Sequence, residues 1–252
     1  MKDRNDFKFE VCANSVESCL AAQIGGADRV ELCAGIPEGG TTPSFGEIKQ
    51  ARKILSSTHL HVIIRPRGGD FLYSPLELKR MRSDILLAKN LGVDGVVFGC
   101  LDEDGMIDER ANAMLMEAAT GMSVTFHRAF DRCRNPLESM EEIISLGFNR
   151  ILTSGQQPTA LEGVEMLKQL HEKAAGRIVI MAGCGVNESN ILDIYNATQV
   201  DEYHFSARVE VKSRMKFCNK NVYMGTKGAD EDTLAVTSAE RVRATIASLV
   251  EH

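Results

Sequence analysis

The chain has 252 residues, a formal charge of −6, and apolar and charged fractions of 44% and 25%, the make-up of an ordinary soluble globular protein of one large or two small domains. The negative balance excludes a general affinity for nucleic acid, which needs a basic footprint, but leaves room for a small anionic ligand bound by local charge. No apolar run approaches the roughly 20 residues that span a bilayer. Residues 1–6 read as a short exposed tail without the apolar core of a signal peptide, so a cytoplasmic location without membrane contact is expected. The seven cysteines then read as reduced thiols, and with no C-x-x-C pair neither a zinc ribbon nor a thioredoxin-like site is indicated.

In chain order, residues 7–12 alternate as a strand, and Asn14 stands as the N-cap of a helix that ends at Gly25-Gly26. A second strand over 28–33 leads through the Gly-rich loop 35–42 to a helix over 44–55. A third strand (59–65) and loop (66–71) precede a helix over 75–91. Strand 93–100 and an acidic turn precede a helix over 109–119. Strand five ends in Thr125-Phe126-His127-Arg128-Ala129-Phe130-Asp131 and meets a helix over 136–146. Strands 150–153, 177–182 and 202–206 follow, with helices over 159–174, 188–196 and 238–250. Eight strand-then-helix units without a composition break predict parallel pairing and a closed (β/α)8 TIM barrel forming a single domain over residues 7–252. An open doubly wound sheet is disfavoured because no G-x-G-x-x-G follows the first strand.

Residues 207–237 break the rhythm. They are too long for an ordinary connection and mix Arg208, Lys212, Arg214 and Lys216 with Phe217, Tyr223 and Met224. A surface excursion or subunit contact and a lid over the barrel mouth fit equally.

Strand parity sorts the interior. Phe7, Phe9 and Val11 face the helices, leaving Lys8, Glu10 and Cys12 inside; Val30 and Leu32 leave Arg29, Glu31 and Cys33; Val62 and Ile64 leave His61, Ile63 and Arg65. By the same rule Thr125 and His127 face inward from strand five, and Glu202, His204 and Ser206 from strand eight. Singly, each ionisable group among these fits an internal ion pair. Convergence of Glu10, Glu31, Arg65, His127 and His204 near the C-terminal strand ends reads as a site, since such groups must neutralise one another or serve a ligand.

The repeated Glu10-Val11-Cys12 and Glu31-Leu32-Cys33 place two inward thiols on adjacent strands. Strands lie about 4.8 Å apart, so Cys12 and Cys33 can share a soft ion such as Cu(I); a buried free thiol also serves as a small apolar side chain. Cys100 and Cys184 sit at other strand ends. The turns Thr153-Ser154-Gly155 and Gly183-Cys184-Gly185 each lead towards a helix and can offer backbone N–H groups to an anion, with Arg65 and Arg67 nearby. Tight turns that simply need glycine are the plainer reading.

These motifs occur together. Gly25-Gly26-Ala27-Asp28-Arg29-Val30-Glu31-Leu32-Cys33, Glu38-Gly39-Gly40-Thr41-Thr42-Pro43-Ser44, Ile64-Arg65-Pro66-Arg67-Gly68-Gly69-Asp70-Phe71, the strand-five stretch, Leu152-Thr153-Ser154-Gly155 and His204-Phe205-Ser206-Ala207-Arg208 stand in one order along nearly the whole chain. The sequence resembles the CutC family, named for a role in copper homeostasis. The resemblance implies a (β/α)8 barrel, a cytoplasmic homodimer or higher homo-oligomer, and copper ligands at the thiols of Cys12 and Cys33.

Two functions follow as expectations. One is copper homeostasis through Cu(I) bound by Cys12 and Cys33. The other is an aldolase-, isomerase- or epimerase-like enzyme acting on a small anionic metabolite, with Arg65 as anchor, His127 as general acid/base and Glu10 or Glu31 as its partner. No lysine stands at an inward C-terminal strand end, which disfavours a Schiff base, while carboxylates and histidines would also suit a hard divalent metal. A scaffold whose interior charges are purely structural is the third reading.

Overall fold

Short alternating strands hand over to helices through side-chain caps. Ser44 accepts from the Glu47 amide, Ser74 and Glu77 form a reciprocal box ahead of Pro75, and Asp108 and Ser238 cap their helices in the same way. The computed structural model describes residues 3–224 and 230–251. In order these form β1 (Lys8–Ala13), α1 (Val16–Gly25), β2 (Arg29–Leu32), α2 (Phe45–Ile54), β3 (His59–Ile63), α3 (Pro75–Asn90), β4 (Gly95–Phe98), α4 (Glu109–Ala118), β5 (Ser123–Phe126) and α5 (Pro136–Ser145). They continue as β6 (Arg150–Thr153), α6 (Val164–Ala174), β7 (Val179–Gly183), α7 (Ile191–Thr198), β8 (Glu202–Phe205), β9 (Arg208–Lys212), β10 (Thr233–Thr237) and α8 (Ala239–Val250). Strands β1 to β8 close into a parallel barrel, with β1 paired to both β2 and β8. The fold is the expected TIM barrel.

Some boundaries differ from the sequence signals. Ser15, not Asn14, caps α1; Asn14 accepts from the Ser18 hydroxyl and donates to the Ala235 carbonyl, tying α1 to β10. Helices α6 and α7 begin later than 159 and 188. The preceding residues form side-chain turns, with the Glu162 amide on Thr159 and the Asn187 amide on Asn190. In the N-terminal tail, residues 1–2 lie outside the described residues, while Arg4–Asp6 forms a capped 3-10 turn and Arg4 pairs with Asp28 at 2.9 Å.

The large core is the ring between strands and helices, where Phe9, Val11, Val30, Leu32, Val62, Ile64, Tyr203 and Phe205 pack as parity requires. Among the described residues, the buried apolar side chains outside that ring are Cys33, Ile63, Val97, Leu152 and Met181. The barrel interior is otherwise polar, with Glu10, Arg29, Glu31, His61, Thr125, His127, Arg150, Glu202 and His204 all buried. Gly95 shows how tightly it is filled, since a Cβ there would lie 2.4 Å from the His61 ring.

Residues 207–237 contain the antiparallel β9–β10 hairpin; residues 225–229 of that expected excursion lie outside the described residues. Met215, Phe217 and Met224 are exposed on it. Among the described residues, no helix is long and apolar enough to cross a membrane.

Candidate functional site

An ionic column runs up the barrel axis. Arg29 pairs with Glu10 and, at 2.6 Å, with Glu202; Glu202 also receives Arg150 at 3.1 Å. Above it, His204 Nδ1 lies 2.7 Å from Glu10 Oε1 and Nε2 3.6 Å from Glu31 Oε2. Burial would raise the Glu10 carboxyl, but the Arg29 guanidinium and His204 override it and hold Glu10 well below the usual carboxylate range. Among the described residues no arginine forms an ion pair with Glu31, and burial outweighs the charges of His204 and Arg29 to push it up to about 8. Burial works against a charged His204, yet the Cys12 sulfur and the two glutamates raise it well above an ordinary histidine.

At the top of this column stand the thiols. Cys12 Sγ and Cys33 Sγ are 3.4 Å apart, and the donor atoms of Cys12, Glu31 and Cys33 all lie within 4.8 Å of one another. Cys33 is buried and sits by the Ala13 carbonyl at 3.4 Å; Cys12 is half-buried and receives Arg208 Nη2 at 3.4 Å. The shared hydrogen bond from Cys33 lowers the Cys12 pKa well below that of a free thiol, with His204 and Arg208 assisting, and the same bond raises Cys33. Cys12 is in register with Glu31, not Cys33. The two-residue offset adds roughly 6.6 Å along the strand to the ~4.8 Å between strands, more than the usual Cα spacing of about 5.5–6 Å in a disulfide. Both cysteines are free thiols. A cavity of about 410 Å³ opens over it.

Of the residues singled out in the sequence, Glu10, Glu31, His204, Cys12 and Cys33 come together here. Arg65 does not join them. Its Nη1 donates to the Glu38 and Gly40 carbonyls at 2.7 and 2.9 Å, and its Nη2 to Gly69 at 2.9 Å, clamping the loops after β2 and β3. Arg67 is engaged by Glu77 and Asp70, and both arginines line an outer groove. His127 Nδ1 accepts from the Ala129 amide at the start of a 3-10 turn (Arg128–Arg132), and its ring stands 5.0 Å from Phe71. Burial, then the charge of Arg65, lowers its pKa to about 3. Its Nε2 is buried without a partner among the described residues.

The turn at Ser154 and Gly155 already holds an anion, the carboxylate of Asp131. It accepts from the amides of Ser154 and Gln156 and from Thr153 Oγ1, while the Gly155 amide turns back to Thr153. Gly183 faces inward, where a Cβ would lie 2.4 Å from Leu152 and 3.2 Å from His204; it makes room for that histidine. Gly185 does line the cavity, as does Cys184, whose φ of +84° is left-handed.

Barrel-strand parity could not find the arginines of the cavity wall, because they lie outside the eight barrel strands. Arg128 opens the 3-10 turn after β5, Arg208 opens β9 of the hairpin, and Arg241 comes from α8. Arg241 holds Glu188 through two 3.1 Å contacts and the Arg208 carbonyl at 2.6 Å, so it positions Arg208.

Fold and site together define a TIM-barrel protein with a thiol–carboxylate cluster at the C-terminal mouth of its strands. A family model described as the CutC family matches residues 7–209, a span holding all eight barrel strands. The chain belongs to the CutC family. A family protein CutC of Bacteroides thetaiotaomicron is 62% identical over 244 residues, covering 96% of this chain and 98% of that one. The copper homeostasis protein cutC homolog of Homo sapiens is 48% identical over 240 residues, covering 95% and 88%. The crystal structure of CutC from Streptococcus agalactiae superposes with a TM-score of 0.77 at 37% identity, covering 79% of this chain and 98% of that one. Thiamine phosphate pyrophosphorylase from Pyrococcus furiosus, at 19% identity and a TM-score of 0.60 over 98% and 97% of the chains, shares the fold alone.

Proposed function

We propose that this protein serves copper homeostasis in the cytoplasm by binding Cu(I) between Cys12 and Cys33. The observation that carries this reading is the 3.4 Å approach of two free thiols at the barrel mouth, with Glu31 beside them. Thiolates are the soft donors that select Cu(I). Arg208 against Cys12 suits that cargo, because Cu(I) between two thiolates carries a net negative charge that a guanidinium offsets. Competition titration of the reduced protein tests it: one equivalent of Cu(I) is expected to bind, and to be lost in the Cys12→Ser, Cys33→Ser double variant. Retained binding in that variant contradicts the reading. The exposed Met215, Phe217 and Met224 of the hairpin support a homodimer or higher homo-oligomer, which sedimentation would measure.

A second reading, an enzyme working on a small anionic metabolite, is favoured by Glu31. A carboxyl pushed up to about 8 beside His204 is a proton donor at neutral pH, with Glu10 below as fixed counter-charge. Here Arg65 and His127 act from the surrounding loops, since neither reaches the Glu31–His204 pair as a partner. Thermal-shift screening decides it: stabilisation by phosphorylated or carboxylated metabolites, abolished by Glu31→Gln, is expected, and no shift with any of them contradicts it.

A further inference from the structure

The cavity above the thiols is far larger than an ion requires, about 410 Å³ against roughly 30 Å³ for a water molecule's share of the liquid. Its wall is also cationic in a chain of net charge −6: Arg128, Arg208 and Arg241 line it, and among the described residues Glu31 is the one carboxylate that does. Arg241 is spent on Glu188, and Arg128 is held through Nε by Asp131 at 2.7 Å. Arg208 differs. Among the described residues no carboxylate pairs with it, its Nε is buried without a partner, and its Nη2 rests on Cys12 Sγ. An arginine in that state, opening onto a cavity, is a receptor for a carboxylate carried by a molecule whose other end reaches the sulfurs.

We infer that the cavity receives a small anionic thiol, a low-molecular-weight thiol bearing carboxylates, which exchanges Cu(I) with the Cys12–Cys33 pair; this rests on the Cu(I) reading above. The carrier's carboxylate pairs with Arg208 while its sulfur shares the metal. Bonds from copper to carrier sulfur break as bonds to the two cysteine sulfurs form. Any proton released from a cysteine sulfur is taken up by a departing carrier thiolate, and copper stays Cu(I) throughout. Arg128 stands on the same wall, and Arg241 fixes the backbone of Arg208 from α8.

The test is the rate of copper transfer to the reduced protein from Cu(I)–glutathione and from Cu(I)–2-mercaptoethanol, one thiol carboxylated and one neutral. Arg208→Gln is expected to slow transfer from glutathione about tenfold and from 2-mercaptoethanol by less than about twofold. On the unaltered protein, added salt is expected to slow the glutathione reaction more than the 2-mercaptoethanol one, a readout that needs no variant to fold. Equal effects on both thiols, or none on either, overturn the inference and leave copper binding standing. Transfer that proceeds equally well into the Cys12→Ser, Cys33→Ser protein overturns both.

Discussion

Glu10 and His204 face each other across the β1–β8 seam that closes the barrel, with Oε1 and Nδ1 2.7 Å apart. Glu10 also neutralises Arg29, so one fully buried carboxylate serves two buried cations. Removing it leaves Arg29 to share Glu202 with Arg150 and leaves His204 only the 3.6 Å approach to Glu31, and a buried group short of a counter-charge in this way costs about 3–5 kcal/mol. Glu10→Ala is therefore expected to lose that much stability in urea unfolding, and a loss below about 1 kcal/mol contradicts the role assigned here.

His127 makes stability depend on pH. Its folded pKa of about 3 lies below the unfolded value of about 6.5. Above the unfolded value neither state is protonated and the group contributes nothing. As pH falls, the unfolded chain takes up a proton that the folded one refuses, so stability is lost progressively down to the folded pKa. Near pH 5 the loss is about 2 kcal/mol, and His61, also lowered to about 3 by burial, adds in the same direction. His127→Asn keeps an acceptor for the Ala129 amide and is expected to remove its share of the fall between pH 7.5 and 5 in denaturant titrations. An unchanged pH slope contradicts this.

Arg65 is assigned to holding the cavity wall. A lysine carries the same charge but cannot span three carbonyls on two loops. Arg65→Lys is expected to cost about 2 kcal/mol and to expose the segments around Gly40 and Gly69 to limited proteolysis. Wild-type melting and proteolysis together refute the clamp.

Parity made the strands and their inward residues legible, because a closed parallel barrel enforces one rule along every strand: Glu10, Glu31, His204, Cys12 and Cys33 fell where alternation put them. The rule stops at the strand ends. Whether Arg65 points to a ligand or to three carbonyls depends on loop paths, and a Gly turn that looks open to an anion gives no sign that Asp131, more than 20 residues earlier, will fill it. Arg241 reaches the site from a helix, through the backbone of Arg208, a contact without periodicity. The 207–237 excursion carried mixed signals because a hairpin exposed on both faces buries too little to impose a pattern.

The central claim, that Cys12 and Cys33 together hold Cu(I), is tested most directly by copper K-edge X-ray absorption on the Cu(I)-loaded protein in thiol-free buffer. A first shell containing two sulfur scatterers is expected, falling to one in Cys33→Ser. A shell of nitrogen and oxygen alone, or a sulfur count unchanged by that substitution, would contradict it.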